Sequence, residues 1–347
     1  MPSLTITRTA EPPPDWRDFA VAHGTFYHRP EWAQCLAGMY RVRIDYFSAR
    51  SAGELRGLVA LAEIPGLIGP RRLVSLPFSY AAGPLATDGA TADALSEAVL
   101  ERARERRVSR VELKSRGEHP PAPGFQRVSR YSTYEIPTEG GESLVWDRLH
   151  PGSTQRSIKK GRKAGLVVRR GDASGDWQLM AELEERTAHG HGLPAPPRRF
   201  FVEGCRALQR EGLADVYLAL TGGGAPAAAI TVWKGTRSWI YAFGASDPAH
   251  LEHRPNHVLL WAAIQDAITA GCRFDMGRAA PEQESLVEFK RRWGGQALPL
   301  AYDYWPAPAG LNLAPRDRGT MAAVAAIWSR LPAGVARLGS GLYRYLG

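Results

Sequence analysis

The sequence predicts a mixed α/β chain made of two similar units, and three observations carry that expectation. With 347 residues and 44% hydrophobic content, the chain can bury two cores of ordinary size. Runs rich in β-formers alternate with helical periods, and their order is the same in both halves. At one constant offset of 163 residues, Arg110-Val111-Glu112-Leu113 falls on Arg273-Phe274-Asp275-Met276, while Ser75, Phe78 and Tyr80 fall on Ser238, Tyr241 and Phe243.

The elements follow in order. Pro30 to Tyr40 has Pro in its first turn and Trp32, Cys35 and Leu36 at helical spacing. Val42 to Ser48, Leu55 to Ile64 and Leu73 to Phe78 read as strands between polar and Gly/Pro breaks. A helix from about Ala92 to Arg107 leads to the short strand at 110–113, and after a Pro-rich turn Gln126 to Ile136 reads as one further strand. The first unit is thus expected over 1–140. The second, over 141–305, opens with a helix near Ser143 to Leu149 and has strands at Ala214 to Leu220, Ala227 to Trp233 and Ser238 to Phe243. A helix from Asn256 to Ala270 and the strand at 273–276 complete it.

Residues 306–347 change character. A Pro-rich connector precedes 319–347, which has no acidic residue and carries Met321, Val324, Ile327, Trp328 and Leu331 as a helical stripe. This basic amphipathic helical tail is expected either to pack on the protein or to touch an anionic membrane surface. No apolar run approaches a membrane span, the first residues lack the core of a secretory signal, and Cys35, Cys205 and Cys272 lie far apart. A soluble or peripheral cytoplasmic protein is expected, with no disulfide framework.

The net charge of +9 favours an anionic partner. Only six of the 44 basic residues are lysine, yet Lys159, Lys160 and Lys163 fall within five positions. On a helix, Arg156, Lys159, Lys160 and Lys163 share one face, and Ser153 or Thr154 can cap its start, a combination suited to phosphate. Gly161 is a weak point in that helix. A second helix is expected within Pro281 to Gly295, with glutamates first and cations last, which puts Lys290 near a C-terminus, either as dipole compensation or as a cation for an oxyanion. His250, His253 and His257 lack a carboxylate pattern for a metal, so none is expected. Serine-hydrolase, dinucleotide and Walker motifs are missing.

Several motifs in order carry a resemblance. They are Phe26-Tyr27-His28-Arg29-Pro30-Glu31-Trp32, Ser75-Leu76-Pro77-Phe78-Ser79-Tyr80, the basic stretch Gln155 to Gly165, His191-Gly192-Leu193-Pro194, Phe274-Asp275-Met276-Gly277 and Phe289-Lys290-Arg291-Arg292-Trp293-Gly294. Across about residues 25 to 305 the chain resembles the FemAB-like (BioF2-like acetyltransferase) family. The resemblance implies two tandem GNAT-like domains, mixed sheets flanked by helices, that transfer an acyl group to an amine. It implies aminoacyl-tRNA as donor, no cofactor, and a cell-wall precursor or small metabolite as acceptor, phosphate-bearing or lipid-linked. It also puts Lys290 at the ester carbonyl.

Glu112 and Asp275, which share one position in the two units, are the candidate bases. Tyr80, Tyr241 and Arg278 join the basic helix as candidate substrate-binding residues. The segments Ala82 to Thr87 and Glu252 to His257 do not read as the Gln/Arg-x-x-Gly-x-Gly/Ala loop that holds acetyl-CoA, which favours tRNA over an acyl-CoA donor. Two alternatives stand beside this reading: a CoA- or carrier-dependent N-acyltransferase of envelope or natural-product assembly, and a non-catalytic nucleic-acid or membrane-binding module.

Overall fold

The computed structural model describes residues 3–65, 70–172 and 174–306. The expected amphipathic tail at 319–347 lies outside the described residues. Packing divides the chain into two compact units, one of Met1–Ser132 with a return segment from Pro299, the other of Thr133–Leu298. The change of unit thus falls at 132/133 rather than at 140/141, because the strand that follows belongs to the second sheet.

In the first unit the order is β1 (Leu4–Thr9), α1 (Trp16–His23), α2 (Pro30–Tyr40), β2 (Arg43–Ser51), β3 (Glu54–Ile64), β4 (Arg72–Val74), β5 (Leu85–Ala86), α3 (Gly89–Glu105), β6 (Arg110–Ser115) and β7 (Gln126–Val128). The second contains β8 (Ser132–Ile136), α4 (Gly141–Arg148), α5 (Arg156–Lys163), β9 (Val167–Arg170), α6 (Ser174–Gly190), α7 (Arg206–Arg210), β10 (Ala214–Leu220), β11 (Pro226–Lys234), β12 (Ser238–Ser246), α8 (Pro255–Thr269), β13 (Arg273–Ala279), α9 (Glu284–Arg292) and β14 (Gln296–Pro299). The chain then returns to the first sheet as β15 (Ala301–Trp305).

The first sheet runs β1-β2-β3-β4-β6-β15-β7, with β5 on β3, and the second β14-β8-β13-β12-β11-β10-β9. Each contains a parallel step, β4 with β6 and β12 with β13. Parallel neighbours need a crossover, and α3 and α8 supply it. The parallel registers refine the internal match. Arg110 lies opposite Arg72 and Arg273 opposite Ser238. Arg72, and not Ser75, is therefore the counterpart of Ser238, while Glu112 and Asp275 keep equivalent places.

Two expected strands end early. The run Leu73 to Phe78 stops at Val74, because Leu76 (φ 54°) and Phe78 (φ 57°) turn the backbone into the left-handed region. The run Gln126 to Ile136 breaks after Val128, and its two parts join different sheets.

Alternation along the second sheet gives it two distinct faces. Ala228, Ile230 and Val232 of β11 share one core with Val258, Leu259 and Ile264 of α8, and with Val287 and Trp293 around α9. The opposite face carries Phe243 and Trp233, packed edge-on to Phe200, and α6 lies on β10, β11 and β12. Meanwhile α5 packs on α8, and Gly161 explains how closely. A β-carbon at 161 would lie 2.7 Å from Val258 Cγ1 and 3.0 Å from the His253 carbonyl oxygen. The helix therefore runs straight through its glycine. Gly161→Leu is expected to cost about 1–3 kcal/mol through overpacking, read from urea unfolding.

Candidate functional site

The basic stretch begins as a π-helical turn over Pro151–Gln155 and continues as α5. The expected cap does not form, because both hydroxyls are engaged elsewhere. Thr154 Oγ1 donates to the Arg292 carbonyl at 3.0 Å and Ser153 Oγ meets His150 Nδ1 at 3.0 Å. The His150 N–H also donates to the Arg292 carbonyl, at 2.8 Å. Entry to α5 is thus fastened to the end of α9.

Arg156, Lys159, Lys160 and Lys163 are all exposed, as a shared helical face requires. Folding gives them different surroundings. Arg156 and Lys160 line a cavity of about 480 Å³ together with Ser153, Ser157, Arg254, His257 and Arg292, and no carboxylate lines it. Arg254 immediately precedes α8, whose first backbone N–H groups add positive potential. Burial first, and the Arg254 charge second, hold the His257 imidazole down to about 4, so it is neutral at pH 7. Lys159 instead places its Nζ 5.8 Å from the centre of the Trp146 ring. Lys163, in the last turn, does not line the cavity. The sequence reading missed Arg254 and Arg292 for this cavity and weighed His257 only for a metal. A helix N-terminus preceded by arginine was the available signal for the first.

Lys290 lies inside the second unit, 3% exposed. Its ammonium donates to three successive carbonyls, of Met276 at 2.8 Å, Gly277 at 2.6 Å and Arg278 at 3.0 Å. The Tyr134 ring centre is 5.7 Å from Nζ. Gly277 has φ +79°, and a β-carbon there would lie 3.8 Å from Lys290 Nζ, so the backbone folds around the ammonium where glycine is most at ease. Burial lowers the Lys290 pKa to about 8, partly opposed by the Asp275 charge.

Asp275 is fully buried; its Oδ1 accepts from the Thr133 hydroxyl and from the Gly277 N–H at 2.8 Å. Tyr241 comes directly after Ile240, the last β12 residue paired with β13, at the point where the two strands part. Its half-buried phenol is pushed up by burial. Arg278 is exposed on β13. Lys290, Asp275 and the Arg278 carbonyl thus lie together where β13 leaves β12, with Tyr241 next to that point on β12. Glu112 and Tyr80 belong to the first unit. There Glu112 lies 3.5 Å from Lys114 Nζ, and Tyr80 packs edge-on to Tyr27 with ring centres 4.9 Å apart.

Removing the ammonium leaves three inward carbonyls short of a donor. Lys290→Met is expected to lower stability at pH 7 by about 3 kcal/mol, read from urea unfolding. A pKa of about 8 against an ordinary 10.5 also has a sign. Between those values the unfolded chain binds a proton that the folded chain does not, so the Lys290 contribution rises with pH across the window and is flat below it. The variant loses that slope.

Residues 152–291 match the family model of the acetyltransferase (GNAT) domain. No curated protein matches the sequence. Among solved structures, FemX superposes with a TM-score of 0.68 at 14% identity, over 86% of this chain and 96% of its own. The C-terminal domain of a putative lysylphosphatidylglycerol synthetase from Agrobacterium fabrum gives 0.56 at 13% identity, over 83% and 90%. A tandem GNAT protein from the clavulanic acid biosynthesis pathway gives 0.53 at 15% identity, over 87% and 98%. Residues 152–291 thus match an acetyltransferase (GNAT) domain, and the fold of the whole chain is that of tandem GNAT proteins.

Proposed function

We propose that this protein moves an aminoacyl group from aminoacyl-tRNA to the amine of a cell-envelope precursor or small metabolite. The observation that carries the reading is the carboxylate-free cavity lined by Arg156, Lys160, Arg254 and Arg292 at the start of α8, all but Arg292 within the acetyltransferase match. Such a site suits the phosphates of a nucleotide terminus. Neutral His257 offers a hydrogen bond there without further charge. The lysylphosphatidylglycerol synthetase named among the structural neighbours supports an envelope acceptor. No helix among the described residues is long and apolar enough to cross a membrane.

The chemistry follows from the residues. The ester carbonyl is attacked by the acceptor amine, and negative charge grows on its oxygen. All three Lys290 protons are held by carbonyls, so Lys290 acts as a fixed positive charge that shapes residues 276–278 and favours the tetrahedral intermediate at a distance. A second reading, a CoA thioester donor bound by the same cations, is favoured by the acetyltransferase family match.

Incubation with tRNA carrying labelled amino acids, beside labelled acetyl-CoA, and a set of amines separates the two. Label is expected to move from tRNA to an amine. Transfer from acetyl-CoA alone would establish the second reading, and salt-sensitive tRNA binding without any transfer would mark a binding module. Arg254→Ala is expected to weaken tRNA binding about tenfold and to reduce the salt slope by about one.

A further inference from the structure

Helix α6 carries a residue that its packing does not explain. Trp177, Met180, Ala181 and Ala188 are buried, and α6 rests on β10, β11 and β12. Helical spacing sets Glu184 on the same stripe, seven residues after Trp177, four after Met180 and four before Ala188. Its acidic and basic neighbours are engaged elsewhere: Glu182 and Glu185 pair with Arg198, and Arg186 pairs with Asp247. Among the described residues, no cation or hydrogen-bond donor meets Glu184, and burial alone perturbs it. A half-buried carboxyl thus stands on the inward stripe of the helix.

The surroundings are nearly free of charge. On this face β10 and β11 present Ala, Val, Leu, Thr and Trp side chains, and the neighbouring turn at 200–205 adds the buried Cys205 thiol. The Tyr241 phenol of β12, packed against the core on the α8 side, is raised by burial first and by the Glu184 charge second. Thr231, on the α6 face of β11, is fully buried, and its hydroxyl has no partner. The half-buried Glu184 carboxyl and the enclosed Thr231 hydroxyl therefore lie under α6 without protein partners among the described residues. The cationic cavity, lined from α5, α8 and the end of α9, lies on the other face.

We propose that Glu184 is the proton acceptor of the acyl transfer, serving an acceptor amine that enters from the α6 face while the donor is held on the α8 face. The assignment rests on the acyl-transfer reading above. As the amine nitrogen attacks, the C–N bond forms and the ester C–O bond breaks. Glu184 takes the proton that the nitrogen loses and returns it to the leaving 3′ oxygen, so no net proton is consumed. Burial raises the Glu184 carboxyl to about 7, where both steps are accessible at neutral pH.

The test measures transfer from charged tRNA between about pH 5 and 9 for the wild type, Glu184→Gln and Glu184→Asp, with donor Kd and Tm alongside. The wild-type kcat is expected to rise with pH through about 7. Glu184→Gln should lose about a hundredfold in kcat and the acidic limb, with donor Kd unchanged, and Glu184→Asp should restore part of the rate. At pH 8 the Tm of Glu184→Gln should equal or exceed the wild-type value, since the folded carboxylate bears a burial cost above pH 7 that the amide lacks. A Gln variant with wild-type rate and an intact acidic limb overturns the assignment alone. So does a rate loss matched by weaker donor binding and lower Tm, which marks a structural residue. A wild type that transfers nothing from any donor overturns the acyl-transfer reading itself and this assignment with it.

Discussion

An ammonium bound by three consecutive main-chain carbonyls is the constraint on which the second unit depends. A strand that leaves its neighbour has carbonyls to satisfy, and β13 leaves β12 after only three paired positions, Arg273 to Asp275. Lys290 meets the next three carbonyls with one side chain. The separation of the strands at Tyr241 is therefore stabilised rather than frayed. The same contact anchors α9, whose last residue, Arg292, lines the cationic cavity, while Trp293 joins the core beside His257.

Charge is divided across this sheet in a way that suits two ligands. Cations collect on the α8 face, where α5 and the end of α9 frame the start of α8. On the α6 face Asp176 is paired with Arg169, and Glu184 sits among apolar side chains without a cation. An arginine beside Glu184 would return its pKa to the ordinary range, so the segregation preserves the raised value. Phosphate affinity and proton affinity can then coexist in one small domain without cancelling each other.

Much of the fold was legible in the sequence because its signals are local. Pro30–Tyr40 and Ala214–Leu220 form over the expected residues, and α3, α8, β11 and β12 differ by a few at their ends. The cationic face of α5 was legible for the same reason. The partition of Gln126 to Ile136 between two sheets was not, since β-propensity says nothing about which partner a strand takes. Nor could spacing bring Arg254 and Arg292 beside Arg156, which required α5 and α9 to converge on the start of α8. Glu184 could have been found: Trp177, Met180, Ala181 and Ala188 set the period of α6, and a glutamate inside that period is visible before any coordinates are known.

The return of the chain as β15 has a consequence for how the molecule is made. In the first sheet β7 is paired only through β15, which lies between it and β6. A ribosome delivers Ala301–Trp305 long after Gln126–Val128 has emerged, and the whole second unit is translated in between. The nascent amino-terminal sheet therefore waits, with the edge of β6 open, while the later domain is completed first. A strand translated after those of the second unit thus closes the sheet that was begun first.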